Sequence, residues 1–365
     1  MGFYINDEQK IRINLSERAA NVIENDLTIF STFNQTKFLN RIIENFHTEA
    51  KASFTAYCSR QLEDFKDSLT NCHISEKAKA EVLNTFLHKI QEETKKELCT
   101  YLSSKQSHMK HSPFRLNNNN CKFLRDYNDA RNELDIYDPK SNLSNESAEC
   151  FGVSKYIKCI IEEYSTLSLI ERIRIIKKNE YTTIKAAIHD NLLLEITKEN
   201  QTFKFYPYKI ISDNLGVQDY LTGYSQLKNE LSTQKKVASF SMIRLEKTEI
   251  QTRSSTRKKL LSEKEIKELE NSISKRSASF LLGEETQIRV RLTNNGKALY
   301  HTKLNYRPLK IDSKPADNEY VFSCTEQQAY IYFLPFGADA EIISPPSLRN
   351  RIKEVYEAAY RLYNE

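Results

Sequence analysis

Apolar and polar positions alternate near the start of the chain, with Ile11, Ile13 and Leu15 set against Arg12 and Asn14. A period of two predicts a strand that buries the first set and exposes the second. Ser16, followed by acidic Glu17, is a helix start, and the helix runs to about Phe30. One of Asn34, Gln35 and Thr36 starts the next, which places Phe38, Leu39, Ile42, Ile43 and Phe46 on one face. The helical pattern continues over 45–70. It returns over 75–102, where Val82, Leu83, Phe86, Leu87, Ile90, Leu98, Tyr101 and Leu102 form a packing stripe. Residues 103–120 hold Pro113 and four consecutive asparagines, and read as loop around a short strand at Phe114. A further helical stretch over 167–188 carries Ile170, Ile173, Ile176, Ile184, Ala187 and Ile188.

From Phe203 the period returns to two. Phe203 and Phe205 alternate with Lys204 and Tyr206. Pro207 holds Tyr206 extended, and Tyr208, Ile210 and Ile211 continue the strand. Asp213, Asn214 and Gly216 mark a turn. Residues 219–224 and 237–245 are two more strands, and 249–252 completes the unit. No acidic cluster offsets its basic residues. Ser262 and Glu265 form a capping box that opens a helix to about Ser274. The last block, 286–365, alternates strands (288–292, 320–324, 340–343) with helices over 326–334 and after Pro345 and Pro346. This is α+β.

Two segments repeat. Ile11-Arg12-Ile13-Asn14 matches Phe114-Arg115-Leu116-Asn117, and KFLNRIIENF at 37–46 matches KYIKCIIEEY at 155–164. The strands are 103 positions apart and the helices 118, so the second copy holds 15 extra residues, placed in the loop 138–150. Strand, helix, helix at this spacing is similar to a ribbon-helix-helix unit. One unit cannot bury its own core. The repeat therefore predicts an intramolecular pseudo-twofold fold whose two strands pair antiparallel.

Composition sharpens this in three ways. The 365 residues are 39% hydrophobic and 28% charged, which is ordinary for a globular protein of two or three domains. The formal charge of +5 is a mild bias, but residues 235–260 hold eight Lys/Arg against two Glu. A basic edge of this kind suits a polyanion. Seven cysteines without a CxxC, no secretory signal in 1–10, no myristoylation pattern and no membrane-length apolar run predict a reduced cytoplasmic protein without membrane association. Neither GxGxxG, Walker A, HExxH nor GxSxG can be written from this sequence, and His108 and His111 lack metal-ligating neighbours. Catalysis and cofactors have no positive case.

Pro207-Tyr208-Lys209-Ile210, Tyr220-Leu221-Thr222-Gly223-Tyr224, and 240–245 with Arg244 resemble the WYL domain, a bacterial ligand- or nucleic-acid-sensing module. The resemblance implies an Sm-like small β barrel. Asp219 stands at the Trp position of the name and Ala238 at a usual Arg position. An anion pocket would then rely on Arg244 with Lys235 or Lys236. Phe322-Ser323-Cys324, Tyr332-Phe333, Phe336-Gly337, Ser344-Pro345 and Leu348-Arg349 resemble the C-terminal extension of WYL proteins, which implies a ferredoxin-like block used for dimerisation or nucleic-acid contact. The expected organisation is an α+β multidomain chain: two ribbon-helix-helix repeats in 1–166, the WYL domain with its connecting helices in 167–280, and the C-terminal block in 281–365.

The whole resembles the WYL accessory proteins of type VI-D, RNA-targeting CRISPR systems. That implies a non-catalytic, homodimeric binder of single-stranded RNA that stimulates the effector nuclease, with duplex DNA ranked below RNA. Two other readings stand beside it: a transcriptional regulator that binds operator DNA through the ribbon and senses a ligand, and a scaffold whose basic face docks proteins. The candidate contacts are Arg12, Asn14, Arg115 and Asn117 on the ribbon. On and beyond the β unit they are Lys204, Tyr208, Lys209, Tyr220, Lys235, Lys236, Arg244, Arg253 and Arg257. Arg and Asn suit base edges, and tyrosines with cations suit a stacked single strand.

Overall fold

A computed structural model of the chain describes residues 10–30, 34–70, 72, 74–103, 113–126, 146–198, 201–213, 218–227, 235–250, 260–281, 283–314 and 317–364. The chain divides into two compact units, Met1–Lys178 and Asn179–Glu365.

In the first unit, β1 (Lys10–Ile11) pairs antiparallel with β2 (Phe114–Arg115). Ile11 lies opposite Phe114, and these are equivalent positions of the two sequence copies, so a local twofold axis passes through that pair. After β1 come α1 (Glu17–Ile29), capped by Ser16, and α2 (Gln35–Phe46), capped by Asn34. Then α3 (Phe54–Leu69) and α4 (Glu76–Ser103) form a hairpin. After β2 come α5 (Asn118–Asp126) and α6 (Glu146–Tyr164). The first helix of each copy packs on the second helix of the other, α1 on α6 and α5 on α2, while α2 and α6 pack together. One interaction repeats under the same symmetry. Ser16 Oγ donates to Glu162 at 2.6 Å, and Asn119 Nδ2, its equivalent, donates to Glu44 at 3.2 Å. Such swapped packing buries Phe38, Ile42, Ile43, Tyr156, Ile157, Ile160, Ile161 and Tyr164 completely.

Asp26 and Glu163 are two of the carboxylates buried in this core. Asp26 on α1 accepts from Tyr164 Oη at 2.7 Å and from Arg172 Nε at 2.8 Å and Nη2 at 3.1 Å. A buried carboxylate with this many donors is satisfied, and removing its cation would cost about 3–5 kcal/mol. Glu163 on α6 accepts the Lys51 backbone N–H at 2.8 Å, and Lys51 in turn pairs with Glu97. Burial pushes the Glu163 carboxyl up to about 7.

Several boundaries differ from expectation. Residues 118–120 open α5 instead of a loop, because Asn117 Oδ1 accepts from Asn120 N at 2.8 Å and so caps the helix. Residues 146–150, expected in the inserted loop, are helical; 138–145 lie outside the described residues. The segment 167–188 is two helices, α7 (Leu169–Ile176) and α8 (Lys178–His189). They are broken at Lys177, whose φ −99 and ψ 21 leave the helical region.

The second unit holds two sheets. One comprises β3 (Leu194–Lys198), β4 (Gln201–Asp213), β5 (Gln218–Leu227), β6 (Lys236–Ser241) and β7 (Lys247–Ile250), in the order β6-β5-β4-β3-β7. The strand expected over 237–245 ends at Ser241, where a 3-10 turn (Met242–Arg244) redirects the chain into β7. The register of β4 on β5 shifts between Pro207 and Lys209, so Tyr208 is an extra residue that bends the strand. Helix α9 (Glu263–Arg276) covers one face through Leu269, Ile266 and Ile273, packed with Tyr206, Tyr208 and Tyr224.

The other sheet belongs to the C-terminal block, which reads β8 (Thr286–Leu292), α10 (Asn294–Thr302), β9 (Leu309–Lys314), β10 (Glu319–Cys324), α11 (Glu326–Phe333), β11 (Ala340–Ser344) and α12 (Pro346–Asn364). Its sheet has the order β11-β8-β10-β9 and is antiparallel throughout. Alternate residues Ile288, Val290 and Leu292 face Tyr332, Phe333 and Phe336 in one core. The chain is thus a mixed α+β molecule of several parts.

Candidate nucleic-acid interface

The ribbon is built by a polar knot beneath it. Asn40 sits on the buried face of α2, between Leu39 and Ile42. Its Nδ2 donates to the Arg115 carbonyl at 2.8 Å, and its Oδ1 accepts from Asn117 N at 2.8 Å and Asn120 Nδ2 at 2.9 Å. One helical side chain therefore fixes the backbone of β2 and the start of α5. In the other copy the equivalent position is Lys158, whose Nζ donates to the Leu102 carbonyl at 3.3 Å. The symmetry stops there.

Above the knot, Ile11, Ile13, Phe114 and Leu116 are buried, and Lys10, Arg12, Asn14 and Arg115 are exposed. Lys10 lies directly opposite Arg115. Such neighbours are about 5 Å apart, and like charges there repel. Among the described residues, no acid pairs with Lys10, Arg12 or Arg115. The outer face is thus a cluster of three cations with Asn14 beside it, a surface whose self-repulsion a polyanion would relieve. Asn117 belongs to this group by sequence, yet it is half-buried and its amide oxygen is committed to capping α5. It positions the ribbon and does not project from it.

The residues chosen on the β unit are dispersed. Lys204 on β4 lies between Gln226 on β5 and Glu195 on β3. Lys235 holds its Nζ 4.1 Å from the Tyr206 ring centre and 3.3 Å from both Glu265 Oε1 and the Leu260 carbonyl. The Tyr208 hydroxyl donates to Glu270 at 2.5 Å, and that carboxylate holds the phenol above its usual range. Lys209 is exposed, with its Nζ 4.9 Å from the Tyr208 ring centre. Tyr220 is half-buried; Lys236 and Arg244 are exposed. Arg253 and Arg257 lie outside the described residues. The absence of an offsetting acidic cluster does not hold: Glu195, Glu265 and Glu270 come from β3 and α9 to meet these groups. They are distant in sequence, which hid them.

Asp219, at the Trp position, is buried and accepts from Tyr181 Oη at 2.6 Å and Ser212 Oγ at 2.7 Å. It is a satisfied internal carboxylate. Among the described residues no three His, Cys, Asp or Glu side chains gather as a metal site, and no helix is long and apolar enough to cross a membrane. Sequence reasoning missed Asn40 and Lys10. A lone amide on an apolar helix face was the available signal for Asn40. Lys10 is one strand step, two residues, before Arg12.

No protein-family model and no curated protein matches the chain. Among solved structures it is similar to one described as "Crystal structure of a CRISPR Cas-related protein", with TM-score 0.71 and 20% identity over 99% of this chain and 95% of that chain. The two chains share a fold. "Proteasome accessory factor B/C (PafBC) of Arthrobacter aurescens" superposes at TM-score 0.30 and 13% identity over 100% of this chain and 51% of that chain, too low to assign a common fold.

Proposed function

We propose that this chain is a non-catalytic single-stranded RNA-binding accessory protein that stimulates an RNA-guided CRISPR nuclease cutting RNA. The observation that carries nucleic-acid binding is the ribbon face, where Lys10, Arg12 and Arg115 stand exposed without a described acidic partner. Cations contact phosphate whatever the sequence, whereas base readout needs side chains free to reach base edges. With the Asn117 amide oxygen engaged, Asn14 has no symmetry mate equally free, which favours a sequence-tolerant binder over an operator reader. A description as CRISPR Cas-related comes to this chain through the fold it shares with that structure.

The finer architecture belongs to the same proposal. We read the paired strand-helix-helix copies as a ribbon-helix-helix. The five strands in the order β6-β5-β4-β3-β7, with a bulged β4 and a 3-10 turn before β7, fit an Sm-like WYL barrel. The β8-α10-β9-β10-α11-β11 block, in the order β11-β8-β10-β9, fits a ferredoxin-like fold. A second reading, a WYL-type regulator on duplex DNA, is favoured by the antiparallel two-stranded ribbon, an element that the major groove admits.

Anisotropy titrations with a labelled single-stranded RNA and a duplex DNA of the same sequence, from about 50 to 200 mM salt, separate these. The expected result is tighter binding to RNA, affinity falling as salt rises, and at least about tenfold loss on Arg12→Ala with Arg115→Ala. Equal or tighter duplex binding would favour the regulator. No binding at low salt would leave a protein-docking scaffold.

A further inference from the structure

Helix α9 shields the β unit with one side, and among the described residues its other side is open. A groove of ≈ 410 Å³ runs along the open side, lined by Lys264, Lys267, Lys275 and Arg276, with Glu268 and Glu285. At 100° per residue, Lys264, Lys267 and Lys275 fall within about 80° of arc, opposite Ile266, Leu269 and Ile273, and they span about 16 Å of the axis. Two carboxylates share the lining, where Glu268 accepts the Tyr224 hydroxyl at 3.2 Å and Glu285 accepts that of Ser323, so four cations against two acids leave the groove positive. Among the described residues none of the four cations has an ion pair. Arg276 is held only by a 3.5 Å approach of Nη1 to the Gly283 carbonyl, and its buried Nε has no partner there.

The helix dipole does not account for this pattern. Lys275 and Arg276 lie in the last turn, where positive charge complements the helix dipole, but Lys264 lies in the first, where it opposes it. A row of cations aligned along a groove, one of them at a cost to the helix, matches a row of phosphates. We propose that the α9 groove is a phosphate-backbone track for single-stranded RNA, gripping several successive phosphates through Lys264, Lys267, Lys275 and Arg276. The track rests on the RNA-binding reading above and adds a second binding surface to the ribbon. It also extends the basic face of the second unit from the sheet, where Lys235 is paired with Glu265, to the helix that covers it.

The test is a full-length triple variant, Lys264→Gln, Lys267→Gln and Lys275→Gln, titrated with the same labelled RNA across salt. These side chains are exposed, so the melting midpoint should hold. Affinity should fall at least about tenfold at low salt, and the slope of log affinity against log salt should shrink by about 2, near 0.7 for each phosphate no longer neutralised. Arginine at the three positions should restore both. If the triple variant melts early, the single substitution Lys267→Gln is used, with a slope change of about 0.7. Unchanged affinity and slope, alongside binding abolished by Arg12→Ala with Arg115→Ala, would overturn the track and leave the function standing. Failure of arginine to restore binding would overturn it too. A wild-type chain that binds no RNA would remove the function, and the track with it.

Discussion

Glu163 receives the Lys51 backbone N–H at 2.8 Å and is enclosed between α6 and the Lys51–Glu97 pair. Burial raises its carboxyl from 4.5 to about 7, and the nearby Glu97 adds to the rise, while Lys51 and Arg60 oppose it. A group whose folded value is raised holds a proton that the unfolded chain has released. Its contribution is therefore whole below about 4.5 and is lost as pH rises through about 7. The expected loss is up to about 3 kcal/mol. Melting midpoints measured from pH 5 to 8 should fall for the wild type relative to Glu163→Gln, and parallel curves would show that this carboxyl does not set the dependence. Nothing near Glu163 in sequence announces this, because its neighbours come from positions 51 and 97. The same holds for Asn40 and Lys235. A residue's type was readable, but its partner was supplied by tertiary packing.

Among the elements, the bent pair β4 and β5 depends on Gly223. It faces Pro207 at the bulge, and a Cβ there would lie 2.1 Å from the Tyr206 carbonyl and 2.9 Å from the Phe205 ring. Gly223→Ala should therefore destabilise by about 2 kcal/mol or more, seen as a lower urea midpoint; a wild-type midpoint would mean that the strands can separate to admit a methyl group. The alternation of Phe203 and Phe205 and the strand running through Pro207 were legible here, while the bulge at Tyr208 was not. Also legible were the helix starts at Ser16 and Ser262, and the second start to within residues 34–36, because caps are local chemistry. Strands β3 and β9 were not: LEITK and LKIDSK are short and mixed, and their pairing partners hold them in place. Helix α5 was hidden because asparagines favour turns as well as caps.

For the whole molecule, the sequence repeat foretold the pairing of β1 with β2, while the two-unit division at residue 178 falls inside α8 and left no compositional mark. The C-terminal block carries exposed apolar side chains, and we propose that a second copy of the chain covers them. Leu309 and Ile311, on the edge strand β9, are 54% and 47% exposed, and Tyr360 and Leu362, near the end of α12, are 71% and 76% exposed. A groove of ≈ 570 Å³, lined in part by Ile342, Ile352 and Tyr356, lies beside α12. An uncovered edge strand is a pairing template. Light scattering after size exclusion should give the mass of two chains, and Ile311→Lys should reduce it to one; a wild-type mass of one chain would end the dimer proposal.

The asymmetry beneath the ribbon has its own result. Two identical chains forming such a ribbon would carry the same residue at both equivalent positions, and the surface would look alike from either end. Here one chain supplies both halves, with Asn40 bonded to the ribbon and Lys158, at the equivalent position of the other copy, bonded to the Leu102 carbonyl. The surface therefore has a head and a tail. A polynucleotide strand also has distinct ends, so a ligand labelled at its 5′ end should crosslink to one half of the ribbon in preference to the other, a polarity that a symmetric pair could not impose.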